Sequence, residues 1–337
     1  MEFSARIIVY YVTLNVTENN NASIGKGDNM IVQISYDYAV HCSKTVLTDA
    51  CDNIVKYGHY ISCDDKTQKY LTDVVSENGS KALRNAMMES TDLFDSRTAL
   101  QKKYMRTINL NDDLIGALDK PSVAILENAP YEWPVYQKMA DSYKHDSRFG
   151  SLFRQLVDYM GCGCLTFYNG GGCGQHDQHI LQHEKDKGYK NVGKLKLFCL
   201  LDSDCLKEGN YPTEKTKVCN FLCGTVDQPI GNLPIYTLQQ PKYTWHMWYK
   251  RAIENYFPDN AYQGAAMDPS CLPHELELRD YTKIDKKIVK GYDKDKLQKL
   301  PNQMSRSDYE TGLKHFIING EDYSEIQLFL LKLVYMI

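Results

Sequence analysis

The chain has 337 residues, room for about two domains of ordinary size, and its 43% hydrophobic and 24% charged residues exclude a disordered or fibrous protein. With 39 Lys and Arg against 43 Asp and Glu the net charge is −4, so any contact with nucleic acid must come from a local patch and not from a global basic field. Glu2 stands where a signal peptide would be basic, Thr13 interrupts the first apolar run, no stretch approaches a membrane span, and the eleven cysteines form no repeating framework. These features predict a soluble, cytoplasmic protein with reduced thiols and no membrane partner.

Residues 1–117 read as an N-terminal α+β region. Two alternating or β-branched runs, Phe3–Val16 and Met30–Tyr38, flank the turn-forming NNNASIGKGDN and predict a small β element; the helical stretches KALRNAMMESTDLF and SRTALQKKYMRTI follow. Residues 118–260 have a different texture. The short apolar runs VAIL (123–126), CLTFY (164–168), LKLFCLL (195–201) and IYTL (235–238) alternate with helical patterns. The last pattern is TWHMWYKRAIENYF, where Trp245, Trp248, Tyr249, Ala252, Ile253 and Tyr256 recur at intervals of three and four. Buried strands alternating with helices predict an α/β fold, a parallel sheet flanked by helices, with its ligand site beyond the carboxyl ends of the strands. Residues 261–337 turn polar and lysine-rich, then end in an amphipathic helix over Tyr323–Met336, a helical C-terminal extension.

Acidic residues stand at those strand ends. The first run ends on Glu127 and the third on Asp202-Ser203-Asp204, and right-handed crossovers bring such ends to one edge of a sheet. Carboxylates that close repel unless a divalent cation neutralises them, and hard oxygen donors suit Mg²⁺ or Mn²⁺; each acid taken alone also reads as a strand cap facing water. The second run ends in Asn169-Gly170-Gly171-Gly172-Cys173-Gly174, a turn whose N–H groups can face phosphate or which needs glycine merely to turn tightly. Lys250 and Glu254 share one side of the last helical pattern, either as an i,i+4 ion pair or with Glu254 as a fourth metal ligand and Lys250 or Arg251 as a cation facing phosphate.

Together these residues resemble the Toprim fold, and within it the nucleases of the overcoming-lysogenization-defect type and their stand-alone relatives in bacterial antiphage systems. The resemblance rests on VAILEN with its strand-end Glu127, on the YNGGGCG turn, on LFCLLDSD and on WYKRAIENYF, and it covers residues 118–260. It implies an endonuclease that cleaves phosphodiesters of DNA or RNA with Mg²⁺ or Mn²⁺. Glu127, Asp202, Asp204 and Glu254 would be its metal ligands and, with Lys250, its catalytic residues. It implies too a toxic effector of an antiphage system that works with a separate ATPase subunit. The chain departs from the family pattern after the glutamate: Asn128 replaces the usual glycine, Tyr131 replaces the usual acid four residues on, and Glu132 stands one place later. That departure keeps a second reading open, a non-catalytic docking or sensor subunit with the fold and without its chemistry.

Other patterns compete. Cys162, Cys164, Cys173, His176, His179 and His183 crowd together, and the three histidines share a helix face, so a zinc site rivals the plainer reading of buried thiols and surface histidines. Gly188 to Lys194 has the glycines and lysine of a Walker A loop, but Leu195 replaces the Ser or Thr that holds Mg²⁺ and a strand follows, so the match is fortuitous. Lys283, Lys286, Lys287, Lys290, Lys294, Lys296 and Lys299 concentrate positive charge, either as a solvated face or as a track for a nucleic-acid backbone.

Overall fold

The computed structural model describes residues 30–337 apart from 96–98, 117, 119, 173–174, 187–188 and 190–191. The expected strand over Phe3–Val16 and the turn after it lie outside the described residues. Three strands form a first sheet, β1 (Ile31–Gln33), β2 (Tyr60–Ser62) and β3 (Thr107–Asn109), all parallel in the order β2-β1-β3. Parallel neighbours require long crossovers, and the helices Lys44–Lys56, Asp65–Asn78 and Lys81–Asp95 lie between these strands. Ser43 and Asp64 start the first two by accepting hydrogen bonds from Val46 N–H and Thr67 N–H. Leu47, Ala50, Cys51 and Ile54 from one helix, with Leu71, Val74 and Val75 from the next, cluster with Val32, Ile61 and Ile108 of the strands. The region expected to be α+β is therefore α/β in its described part. Its run Met30–Tyr38 stays extended only to Gln33, because Ser35 caps a helix over Tyr36–His41.

The second sheet positions the site. It has four parallel strands, β4 (Ser122–Leu126), β5 (Leu165–Asn169), β6 (Leu197–Leu201) and β7 (Thr244–Met247), in the order β5-β4-β6-β7. Residues of β4 and β6 are buried at every position because both faces are covered. Ala124, Leu126, Phe198 and Leu200 share one core with the helices Ala129–Tyr143, Gly150–Cys162 and Glu325–Met336. Val123, Ile125, Leu197, Cys199 and Leu201 meet the helices His176–Asp186 and Thr213–Cys223 on the opposite face. The chain leaves β4 to one side for β5 and then passes back to β6 on the other. The switch point, where open parallel sheets bind ligands, thus lies between β4 and β6.

Three of the four expected strands are present. The fourth differs: residues 235–238 are not extended, and the helix expected over TWHMWYKRAIENYF is replaced by β7 and a 3₁₀ turn, Ile253–Tyr256. Trp245 and Met247 enter one core while Trp248 enters the other. A strand buried on both faces and followed directly by Trp248 places its large residues at intervals that imitate a helix.

Residues 261–337 are not a purely helical extension. A hairpin of β8 (His315–Ile318) and β9 (Glu321–Ser324) leads into the helix Glu325–Met336, which opens on a capping box of Ser324 and Gln327. That helix is buried on nearly every side and not amphipathic. Its Lys332 is fully buried and donates hydrogen bonds to the carbonyls of Ile235 and, at 2.7 Å, Trp245. Among the described residues no helix is long and apolar enough to cross a membrane.

Candidate functional site

Glu127 follows β4 directly and Asp202 follows β6, and because these strands are neighbours in a parallel ladder the two acids meet at one edge. Asp202 N–H donates to Glu127 Oε1 at 3.3 Å. Ser203 turns inward, fully buried, and its hydroxyl donates to the Lys250 carbonyl at 2.8 Å. Asp204 then takes a left-handed backbone, φ 52°, uncommon without glycine, and its N–H donates to the Arg251 carbonyl at 2.9 Å. The segment after β7 thereby fixes the Asp-Ser-Asp turn and carries Glu254 to it. Ile253 N–H donates to Asp202 Oδ1 at 3.2 Å, and Glu254 Oε1 accepts from Tyr292 Oη at 3.1 Å.

Glu127, Asp202, Asp204 and Glu254 line one cleft of about 570 Å³. Its other wall is basic. Lys283, Lys286, Lys287 and Lys294 come from the lysine-rich stretch, Arg251 joins them, and Asp285 and Asp293 dilute the charge. Lys294 Nζ reaches Asn128 Oδ1 at 3.4 Å, so the two walls touch. The remaining lysines do not line the cleft; Lys296, for example, donates to the carbonyls of Ala266 and Gly291.

Lys250 does not face the cleft as expected. It is 4% exposed, and its ammonium lies 2.9 Å from Asp280 Oδ1. With no helix over 250–254, the face shared with Glu254 does not exist, and of the two candidate cations Arg251 alone lines the cleft. Lys215 is the residue that sequence reasoning missed. It is 1% exposed in the first turn of Thr213–Cys223, and its ammonium bonds Glu127 Oε1 and lies 3.1 Å from Asp204 Oδ2. The one available signal was position: a helix that follows a strand starts at the ligand edge of the sheet.

Burial pushes the Asp202 carboxyl well above the usual range, and the charges of Glu127, Glu254 and Glu132 push the same way. Burial also raises Glu127, against the pull of Lys215, and raises Glu254. For Lys215 burial alone would lower the ammonium, but Glu127, Asp204 and Asp202 outweigh it and hold it raised. Glu132, one place beyond the family position, is buried behind the cleft, where it accepts Asn128 N–H at 3.0 Å at the start of Ala129–Tyr143. Its carboxyl is pushed up to about 8 by burial and by Glu254 and Glu127. Mutually repelling carboxylates from three chain segments are the donor chemistry of a hard divalent cation. Among the described residues, however, no group of three or more His, Cys, Asp or Glu side chains is placed to hold a metal ion. The carboxylates here are spaced by the Lys215 ammonium.

The described residues of the glycine turn, 169–172, stay outside the cleft lining. Gly170 N–H donates to the Leu126 carbonyl at 2.7 Å, and a Cβ on Gly170 would come within 2.8 Å of Ile125, so close packing on β4 accounts for that glycine. Of the rival zinc residues, His176 is fully buried, His183 packs against the rings of Tyr168 and Tyr189, and Cys162 is exposed; Cys173 lies outside the described residues. Burial, with the charges of Lys215 and His179, pushes His176 down to about 3. No protein-family model, curated protein or solved structure matches the chain.

Proposed function

We propose that the protein is a Toprim-type endonuclease that cleaves nucleic-acid phosphodiesters with Mg²⁺ or Mn²⁺. The observation that carries this reading is the convergence of Glu127, Asp202, Asp204 and Glu254 in one cleft whose facing wall is lysine-rich. A divalent cation bound there supplies Lewis acidity toward phosphoryl oxygens and a water acidified toward neutral pH. Glu127, Asp202, Asp204 and Glu254 would hold it. Tyr292, by donating to Glu254, orients that carboxylate, and Ile253 N–H does the same for Asp202. Arg251, Lys283, Lys286 and Lys287 bind the backbone phosphates that flank the scissile one. A role as toxic effector of an antiphage system, beside a partner ATPase, rests on the resemblance alone.

A second reading, the non-catalytic docking or sensor subunit, is favoured by Lys215, which pairs with both Glu127 and Asp204 without any metal. The test is to incubate the purified chain with plasmid DNA and with total tRNA in Mg²⁺ or Mn²⁺, with Asp202→Ala beside it. Cleavage that falls to background in the variant supports the nuclease. Intact substrates in every condition, together with no Mn²⁺ binding, overturn it in favour of the docking subunit.

A further inference from the structure

We infer that Cys162 and Cys164 form a thiol–disulfide exchange site that takes a low-mass disulfide of the glutathione class. The inference is independent of the nuclease reading, because the pair lies at the amino-terminal edge of the second sheet, opposite the acidic cleft. Cys162 ends the helix Gly150–Cys162, Cys164 precedes β5, and Gly163 between them is left-handed, φ 81°. A Cβ there would meet nothing, so the glycine is needed for its backbone angle and not for space. Bending at a single residue keeps the flanking Cα atoms within the roughly 7 Å that a disulfide can bridge. The two thiols already share a hydrogen bond, and Cys162 donates another to the Tyr159 carbonyl at 3.6 Å.

Cys162 is exposed and Cys164 half-buried, whereas Cys51, Cys199, Cys205, Cys219 and Cys223 are buried. Both residues of the pair line a cavity of about 310 Å³ whose walls also include Tyr57, His59 and the buried Lys196. That space admits a low-mass thiol and excludes a folded partner. Exposure sets the order of events. Cys162, as thiolate, attacks one sulfur of the low-mass disulfide; the S–S bond breaks, and one thiolate leaves with the electron pair and takes up the proton that Cys162 gave to solvent. Cys164 then loses its proton and attacks Cys162 Sγ, and the second low-mass thiolate leaves and is protonated in turn. The pair is thus oxidised by two electrons while one disulfide is reduced to two thiols. Burial, then the hydrogen bond and charge of Cys162, push the Cys164 thiol up to about 11, against the pull of Lys196. Capping Cys162 removes its share of that push, so Cys164 becomes the nucleophile once Cys162 has reacted.

For the experiment, the full chain is incubated with glutathione disulfide, unreacted thiols are blocked with iodoacetamide, and the peptides are read by mass spectrometry. In the wild type the peptide carrying 162–164 is expected to lose two hydrogens, reversibly with dithiothreitol. This should run at least about tenfold faster than glutathione is taken up by Cys271, the other exposed cysteine among those described. Cys164→Ser is expected to hold glutathione at Cys162, and Cys162→Ser to slow the reaction of Cys164 by at least about tenfold. Where circular dichroism shows Cys164→Ser misfolded, Cys164→Ala takes its place. A mixed disulfide that persists at Cys162 in the wild type, a bridge from Cys162 to any other cysteine, or a pair that reacts no faster than Cys271 overturns the inference.

Discussion

Glu325 shows how a single buried carboxyl ties the last helix to the segment that carries the site. Its Oε1 accepts Tyr249 N–H at 2.6 Å, its Oε2 accepts the Tyr256 hydroxyl at 2.5 Å, and His246 Nε2 lies 3.5 Å away, with Lys250 and Asp280 nearby. Burial pushes its carboxyl up to about 7, against those two hydrogen bonds, while burial holds His246 well below its usual value and so neutral. A folded value above the 4.5 of an unfolded glutamate means the folded chain keeps a proton that the unfolded chain has lost. The stabilisation is therefore complete below about pH 4.5 and is lost as pH rises toward 7. The raised carboxyl of Glu132 has the same sign. The buried histidines His59, His176 and His246, held low by burial, titrate with the opposite sign in wild type and variant alike, so the prediction concerns the difference. The stability of Glu325→Gln relative to the wild type should improve by on the order of 2 kcal/mol from about pH 5 to pH 7.5, read from urea unfolding. A difference between Glu325→Gln and wild type that does not change with pH would contradict the assignment. At this scale Glu127, Asp202 and Asp204 were legible because a strand-end acid is visible from its own neighbours. Lys215 and Tyr292 were not, because nothing local says that their side chains reach another segment's carboxylate.

The element that decides most is the helix Glu325–Met336. Phe329 at its centre meets the rings of Tyr136, Phe198, His246 and Trp248 at centroid distances between 5.0 and 6.1 Å. It thus joins the helix after β4 to β6 and β7, the strands that aim Asp202 and Glu254. Phe329→Ala should cost about 3–5 kcal/mol, the range for emptying an aromatic site in a filled core, as measured by urea unfolding. A loss below about 1 kcal/mol would mean that the helix is not part of the core. In sequence this helix read as amphipathic, whereas its Lys332 is buried. The ammonium is instead satisfied by two carbonyls, a solution that the helix's own residues do not reveal. The same blindness affected β7, where a strand buried on both faces and the Trp248 that follows it passed for helical spacing.

On the scale of the whole molecule, charge is separated by the fold and not by composition. The net charge is −4, yet Lys283, Lys286, Lys287 and Lys294 gather with Arg251 on one wall of the acidic cleft. Under the nuclease reading this wall follows the nucleic-acid backbone. Replacing Lys286 and Lys287 together by Ala should then weaken binding to DNA and RNA alike. The slope of log affinity against log salt should fall by ~0.9 per lost contact on duplex DNA and ~0.7 on single strands, as measured between about 50 and 200 mM salt. An unchanged slope would show that the lysines are a solvated face.

By itself the sequence determined the α/β character of residues 118–260, strands within the runs 123–126, 164–168 and 195–201, and the acids that end the first and third of them. Those features depend on short-range patterns: apolar runs long enough to be strands and polar residues where the runs stop. Only the tertiary structure decided that Glu254 comes from a 3₁₀ turn and not a helix, that Lys250 turns to Asp280, that Lys215 stands between Glu127 and Asp204, and that the lysine-rich stretch forms the opposing wall. Each of these is a contact between residues far apart in the chain. It exists because the sheet order brings separate segments to one edge, and no local periodicity carries that information.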